Sequence, residues 1–397
     1  MASALKKVPD ASPLTLAERD RRYRLVRAEL KKRGIGALIV GGTNMLYLSG
    51  GLSGEMAGVL PADEGERYSG IVQWRYLCDI PVKVMLDMQD WVTDLRSSRA
   101  PAPALIERIR ELKLENGTVA YAGPFGHRVY AAVMKAIPTL KIVDATDILD
   151  NLRTIKSAEE IELIDRANHI FNAAIEAIHH KGRPGMLGRE IVQIGLNAMW
   201  DAGGDIDCMF SFNFGPDPKQ NPVLADVCLN KRIQPGDIGT LTAHSHYHHY
   251  AGHSDQEIAF GDPRQSHVKL FEAVKKARTE VLTKVRAGVT ARSLFDAYDA
   301  VAATTGFDTS EHAQMHQYGL DVPEFPGPGF RIEDAKGGKG LGGGGNFTLT
   351  TGMIYSISPT LIDPANGDLL LGGTSLAVTD TGYRELGARP VELLVAG

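Results

Sequence analysis

The stretch TAHSHYHHYAGHSDQEIAF, at Thr242–Phe260, places five of the chain's twelve histidines within ten residues. Successive side chains of a strand point to opposite faces. The stretch therefore predicts a hairpin in which alternate imidazoles share one face of the first strand, and an imidazole and two carboxylates share one face of the second: His244, His246 and His248, then His253, Asp255 and Glu257. Such a hairpin would gather acid-base groups in one pocket. The alternative is an exposed, histidine-rich turn.

Length and charge limit the class of protein. At 397 residues the chain exceeds a typical domain of about 100 to 200 residues, so we expect two domains. The formal net charge of -5 and the isoelectric point near 6.2 argue against nucleic acid or an anionic membrane as a partner. We therefore expect a small-molecule substrate.

The cysteines and the N-terminus indicate the compartment. Cys78, Cys208 and Cys228 are scattered and lack CxxC spacing, which argues against a disulfide framework and a structural zinc site. The N-terminus lacks the apolar core of a signal peptide, and no apolar run approaches the about 18 residues of a membrane-spanning helix. These features predict a cytoplasmic protein without a membrane segment.

Helix and strand alternate as far as Asp150, which is the pattern of an α/β domain. The predicted helices cover Leu14–Arg33, Pro101–Lys113 and Tyr130–Leu140, and the predicted strands cover Gly34–Gly42, Gly117–Gly123 and Lys141–Ala145. Beyond them, Ser157 and Glu160 have the spacing of a capping box, which predicts that a long helix begins there and runs to His180. We place the domain boundary near Ile155, giving domains of residues 1–155 and 156–397.

The second domain has an α+β pattern. Its predicted helices cover Leu187–Ala202 and His267–Arg286, and its predicted strands cover Ile238–Ala243, Glu257–Phe260, Met353–Ser358 and Ser375–Thr379. The glycine-rich segment Gly337–Gly345 lacks the strand-then-helix context of a phosphate loop. We interpret it as a flexible surface insertion or, alternatively, as a lid.

Six segments, spread over nearly the whole chain, share the motifs of one superfamily. They are NMLYLSG (Asn44–Gly50), LRTIKSAEEIELI (Leu152–Ile164), PGDI through SDQEIAF (Pro235–Phe260), MHQYGLDVPE (Met315–Glu324), GMIYSISP (Gly352–Pro359) and VTDTGYREL (Val378–Leu386). These segments resemble the creatinase, prolidase and aminopeptidase P superfamily. The resemblance implies an N-terminal α/β creatinase-like domain, a C-terminal pita-bread α+β domain, and a homodimer in which one subunit's N-terminal domain helps to close the other's site.

The resemblance also implies positions for metal ligands. Peptidases of the superfamily hold two metal ions with two aspartates spaced D-x10-D, one histidine and two late glutamates. The second aspartate falls on Asp255, the first on His244 and the histidine on His316, whereas the glutamates fall on Ser358 and near Gly373. With those carboxylates missing, too few anionic oxygens remain to neutralise two divalent ions. We therefore expect no dinuclear centre.

Creatinase is the metal-free relative in this superfamily, and only part of its site is retained. One of its substrate-holding glutamates falls on Glu257. Its catalytic histidine falls on Gln220, an amide that cannot exchange protons near neutral pH. Its carboxylate-binding arginine has no counterpart, since that stretch offers Glu55 instead. Creatine is therefore not the expected substrate.

The resemblance and the hairpin together predict a catalytic set of His244, Asp255, Glu257 and His316. The predicted substrate-binding residues are Gln220, His253, Tyr318, Glu324 and Ser358. The main hypothesis is a non-peptidase hydrolase or lyase that acts on a C–N bond of a small polar molecule by histidine and carboxylate acid-base catalysis, with no metal cofactor.

Three alternatives remain open. The first is a mononuclear hydrolase or lyase in which His244, Asp255 and His316 bind one divalent metal ion, with open positions for water or substrate. The second is a conventional Xaa-Pro metallopeptidase. The third is a catalytically dead binding relative.

Overall fold

The computed structural model of the protein describes residues 13–52, 54–73, 86, 89–214, 229–309, 314–330 and 347–397. Their contacts divide the chain into two compact units, Met1–Arg153 and Thr154–Gly397. The helix–strand alternation predicted for the first unit and the α+β pattern predicted for the second are both present. The segment Gly337–Gly345 lies outside the described residues.

The N-terminal unit contains one mixed sheet with helices around it. Its helices are α1 Leu16–Lys32, α2 Thr43–Ser49, α3 Pro101–Glu111, α4 His127–Ala136 and α5 Thr146–Thr154, and its strands are β1 Ala37–Val40, β2 Glu55–Pro61, β3 Ser69–Gln73, β4 Asp94–Ser98, β5 Thr118–Ala122 and β6 Lys141–Asp144. The sheet order is β4-β3-β2-β1-β5-β6. The predicted strand Gly34–Gly42 contains β1, which is fully buried. Strand β1 pairs antiparallel with β2 and parallel with β5.

The second unit is larger. Its helices are α6 Ala158–Lys181, α7 Gly188–Asp201, α8 Gln265–Leu282 and α9 Ala291–Ala302, and its strands are β7 Met209–Phe214, β8 Asp237–Tyr247, β9 Tyr250–Phe260, β10 Asp308–Thr309, β11 Gln314–Gln317, β12 Glu324–Phe330, β13 Ile354–Ser358, β14 Thr360–Ile362, β15 Leu369–Leu371, β16 Thr374–Val378, β17 Tyr383–Leu386 and β18 Leu394–Ala396. The predicted capping box is confirmed: Ser157 N donates to Glu160 Oε2 at 2.8 Å, and Glu160 N to Ser157 Oγ at 3.3 Å. It fixes where α6 begins.

The described strands of this unit form three sheets, with strand orders β18-β9-β8-β7, β12-β11-β13-β16-β17 and β10-β14-β15. Helix α6 packs on β9, and glycine at position 252 allows this approach, because a Cβ atom there would lie 2.6 Å from the backbone of α6 at Ala167. A core of aliphatic and aromatic residues lies between the sheet that contains β9 and the helices α6 and α7. The opposite side of the β8–β9 hairpin is polar and forms the candidate site.

In the part of the chain that the structure describes, no helix combines the length and the apolar character needed to cross a membrane.

Candidate active site

The predicted histidine hairpin is formed by β8 and β9, which pair antiparallel along their full length. Its turn consists of His248 and His249, both with positive φ, at 49° and 69°, as two-residue hairpin turns of the primed type require. The amides of these two residues donate to the Asp205 carboxylate at 3.1 and 2.6 Å. Their imidazoles therefore belong to the turn and not to the polar face.

The turn fixes which residues lie opposite each other. His244 pairs with His253, and Asp255 pairs with Thr242, so these four side chains share one face. The resemblance placed His244 and Asp255 at the two aspartate positions of the hairpin, and in the structure it is Thr242 that lies opposite Asp255. The Thr242 hydroxyl donates to Asp255 Oδ1 at 2.6 Å.

Three imidazoles meet where the two larger sheets come together. The ring centroids of His244 and His253 are 4.7 Å apart, and those of His253 and His316, on β11, are 5.0 Å apart. We call these three residues the imidazole cluster. A hydrogen bond from Ser375 Oγ to the carbonyl of His253 joins β16 to β9 beside it. The cluster therefore combines side chains from two separate sheets.

Hydrogen bonds orient two of these rings. His253 Nδ1 lies 3.3 Å from the carbonyl of Ala243, and His316 Nδ1 lies 3.2 Å from the carbonyl of Gln317. A carbonyl can only accept, so each Nδ1 bears the proton and each Nε2 presents its lone pair.

Burial keeps the cluster neutral. It lowers the pKa of His244 and of His316 to about 4. It also lowers the pKa of His253 well below the ordinary value, with the neighbouring imidazoles as a further cause. Near neutral pH all three rings are therefore proton acceptors or metal ligands and not proton donors.

Asp255 is buried with both carboxylate oxygens occupied. Ser358 Oγ donates to Oδ2 at 2.9 Å, opposite the bond from Thr242 to Oδ1. Burial raises the pKa of Asp255, although both hydroxyl groups oppose the rise. Arg389 donates to the backbone carbonyl of Asp255. The sequence indicated neither Thr242, which holds the predicted catalytic carboxylate, nor Arg389, which holds its backbone.

Glu257 lies further along the same face of β9 and is fully engaged. The Thr240 hydroxyl lies 2.9 Å from both of its carboxyl oxygens, and the amide of Leu371 donates to Oε1 at 2.9 Å. Burial raises its pKa well above the ordinary value, which favours the neutral acid. These contacts engage both oxygens and tie the hairpin to β15.

Two more predicted substrate-binding residues are also in structural contacts. Lys156 Nζ lies 2.9 Å from Glu324 Oε2, both side chains being buried, and the amide of Leu320 donates to Glu324 Oε1 at 2.8 Å. Tyr318 is fully buried, and its hydroxyl accepts a hydrogen bond from Asn168 at 3.3 Å. Its ring centroid lies 6.3 Å from that of His253. Tyr318 therefore packs against the imidazole cluster, and Glu324 stabilises the loop before β12.

The remaining predicted substrate-binding residue, Gln220, lies outside the described residues. His267, on α8, is buried and lies 2.8 Å from Asp368 through Nε2. This pairing joins positions 101 residues apart, and no local spacing indicates it.

An α/β unit followed by an α+β unit with imidazoles and a buried carboxylate at its sheet junction defines a creatinase-like pita-bread protein. More particularly, the chain belongs to metallopeptidase family M24: the model of that family matches residues 162–383. The model of the creatinase/prolidase N-terminal domain matches residues 22–155. The predicted superfamily and fold class are confirmed.

Comparison with individual proteins agrees with the assignment to this family. The chain is 25% identical over 258 residues to the Xaa-Pro dipeptidase of Pyrococcus furiosus, covering 62% of this chain and 67% of the relative. It is 24% identical over 299 residues to the Xaa-Pro dipeptidase of Pyrococcus horikoshii, covering 73% and 76%. Its fold matches that of the Xaa-Pro dipeptidase from Bacillus anthracis with a TM-score of 0.78 at 20% identity, over 95% of this chain and 99% of the other.

These matches overturn two expectations. The sequence led us to expect a non-peptidase hydrolase or lyase without a metal cofactor, but the family is one of metallopeptidases and two relatives are named Xaa-Pro dipeptidases. The expectation was wrong because it equated the loss of glutamates at Ser358 and Gly373 with the loss of metal. Neutral imidazoles are also ligands for divalent ions.

The residues present can be tested against the metal that the family implies. Ser358 and Gly373 offer no carboxylate, and Asp255 already accepts two hydroxyl hydrogen bonds. The imidazole cluster fits one ion better, since ligand histidines commonly anchor one ring nitrogen on a carbonyl and bind through the other. Among the described side chains no three potential ligands already converge on one point, so an ion would have to draw the rings together.

Proposed function

We propose that this chain is a hydrolase that cleaves the amide bond of a short Xaa-Pro peptide with the help of one divalent metal ion. The ion would be held by the imidazole cluster of His244, His253 and His316. The observation that supports this proposal is the cluster itself: three neutral rings from two sheets, beside Asp255 on the same face of β9. The substrate class comes from the relatives named above.

Each group has a chemical role in this proposal. A bound divalent ion would polarise the scissile carbonyl and lower the pKa of a water molecule. Asp255 lies two residues from His253 on the same face, and burial raises its pKa, which suits a carboxyl group that must exchange a proton with the departing amine. The hydroxyls of Thr242 and Ser358 fix the orientation of that carboxyl.

Metal content and peptide hydrolysis test the proposal together. Protein prepared without chelator would be analysed for bound metal, then assayed with Ala-Pro, Gly-Pro and Ala-Ala after loading with zinc, manganese or cobalt. We expect about one ion per chain and cleavage of the proline dipeptides. The variants His253→Ala and His316→Ala should lose both the metal and the cleavage, whereas the exposed His127→Ala should keep both. A metal-loaded protein that cleaves none of these peptides would contradict the function.

Three further properties belong to the same proposal: a homodimer, a domain boundary after residue 155 and a cytoplasmic location. The resemblance supports the first two, and the scattered cysteines, of which Cys208 is buried and free, support a reducing compartment. Light scattering coupled to size-exclusion chromatography measures the dimer. A single species with the mass of one chain, 42.9 kDa, would oppose it.

A further inference from the structure

The N-terminal unit contains a cavity of about 340 Å³ between α1 and the segment leading into β3. Small-molecule sites are commonly clefts of about 300 to 1,000 Å³. Three arginines line this cavity: Arg19, Arg27 and Arg67. Such a concentration of guanidinium groups contrasts with the chain's net charge of -5.

The acidic residues at the cavity are already neutralised. Asp20 lies 2.7 Å from Arg19, and Glu66 lies 2.8 Å from Arg108, which is not part of the lining. The positive charges of Arg27 and Arg67 are therefore not balanced by these two carboxylates.

Arg27 and Arg67 form no close ion pair with a carboxylate in the described residues, although Glu64, Asp63 and Asp20 act on Arg27 over longer distances. Arg27 instead donates to two backbone carbonyls, those of Pro61 at 3.1 Å and Glu66 at 2.6 Å. These bonds hold its guanidinium in place without cancelling its charge. Arg67 is exposed and supplies a second guanidinium at the rim. Arginine's planar fork matches the oxygens of a carboxylate or phosphate.

Aromatic rings form the remaining wall. Tyr23 and Tyr68 stack with ring centroids 5.8 Å apart, and the guanidinium carbons of Arg19 and Arg27 lie 6.0 and 5.8 Å from the ring of Tyr23. Trp91 also lines the cavity. The three rings are buried, with 8%, 2% and 2% of Tyr23, Tyr68 and Trp91 exposed, so an oxyanion bound to the arginines would have a small apolar wall next to it for the rest of the molecule.

We propose that this cavity binds a small oxyanion, either a carboxylate or a phosphate group, carried on a flat apolar body. Arg27 and Arg67 would pair with the oxygens, and Tyr23 and Tyr68 would contact the body. The site lies within the N-terminal unit, and the proposal does not depend on the reaction proposed above.

The unfolding temperature of the protein tests this site, because a ligand that binds only the folded state raises that temperature. The full chain would be titrated with inorganic phosphate, phenyl phosphate and benzoate at constant ionic strength, with chloride as the reference. We expect phenyl phosphate or benzoate to stabilise the protein at lower concentration than phosphate does. The two organic ligands distinguish a phosphate from a carboxylate site.

Variants of matched charge locate the binding. Arg67→Gln should weaken binding at least tenfold, and Arg67→Lys should restore part of it. Arg24→Gln is the control, because Arg24 is an exposed arginine of α1 that does not line the cavity. Equal stabilisation of the Arg67→Gln and Arg24→Gln variants would overturn the proposal, as would a wild-type protein that none of the three anions stabilises. If Arg67→Gln lowers the unfolding temperature even in chloride, the variant is itself less stable. Calorimetric titration then measures the ligand affinities directly.

Discussion

Gly373 lies against the side chain of Asp255, and a Cβ atom on this glycine would stand 2.7 Å from Cγ and 2.9 Å from Cβ of the aspartate. The carboxylate therefore fills the space into which a longer residue at 373 would project. Its bond from Ser358 Oγ, at 2.9 Å, holds it there. Ser358 and Gly373, which occupy the positions of the family's two glutamates, thus pack directly against Asp255. A hydroxyl group and a glycine at these positions accommodate one buried carboxyl group.

Gly373→Ala tests this packing. The added methyl group would press on the base of the Asp255 side chain and not only on its flexible end, so we expect a destabilisation of about 1–3 kcal/mol and at least a tenfold loss of kcat/KM. Thermal unfolding and steady-state kinetics measure the two effects. Gly126→Ala is the control, since its Cβ would meet no atom within 4 Å. The double variant Gly373→Ala, Asp255→Ala should regain stability but not activity; no regain would disprove the steric explanation.

Much of the fold could be predicted from local patterns. The capping box of Ser157 and Glu160 marks the start of α6, and the apolar run around β1 marks a buried strand, because both signals lie within a few neighbouring residues. The polar face of the hairpin also follows from the two-residue period of a strand. These features depend on short sequence separations.

The register of the hairpin could not be predicted in the same way. The two-residue period of a strand indicates which side chains share a face but not which residues of the two strands lie opposite each other, and the two-residue turn at His248 and His249 puts Thr242 opposite Asp255. Turn geometry sets register, and a change in turn length changes every cross-strand pair. The partners of Glu324 and Glu257 were missed for a related reason. Lys156 and Leu371 lie far from them in sequence, and only the tertiary structure brings them together.

Glu257→Gln should leave stability nearly unchanged, although the residue resembles a substrate-holding glutamate of creatinase. Burial raises the pKa of its carboxyl group well above the ordinary value and so favours the neutral acid, and an amide of the same shape can accept from the Leu371 amide. Glu257→Ala, in contrast, should cost about 2–4 kcal/mol by leaving a cavity and an unpaired amide. Chemical denaturation compares the two variants. Equal and large losses would show that a charged Glu257 is required.

The ion pair of Lys156 and Glu324 should be far more sensitive to loss of one partner than to loss of both. Both side chains are buried and lie 2.9 Å apart, so Lys156→Met would leave a carboxylate without its cation and should cost about 3–5 kcal/mol. The double variant Lys156→Met, Glu324→Gln removes both charges and should recover at least half of that loss. Unfolding midpoints of the single and double variants give the coupling. Strict additivity of the two substitutions would contradict it.

Glu55 should make the N-terminal unit less stable as the pH rises. Its Oε1 accepts from the Tyr68 hydroxyl at 2.6 Å, and burial raises its pKa from 4.5 to about 8. Between these values the unfolded chain releases this proton and the folded chain keeps it, so the contribution to stability is complete below pH 4.5 and declines until about pH 8. Glu55→Gln cannot titrate and should remove this decline.

The difference between wild-type and Glu55→Gln unfolding temperatures, followed from pH 5 to pH 8.5, isolates this group from all other titrating residues, because those are common to both proteins. We expect the variant to gain stability relative to the wild type as the pH rises, with most of the gain below pH 8. The exposed Glu107→Gln should follow the wild type throughout. Parallel curves for the wild type and Glu55→Gln would mean that Glu55 is ionised in the folded protein, and that the Tyr68 hydroxyl donates to a carboxylate and not to a carboxylic acid.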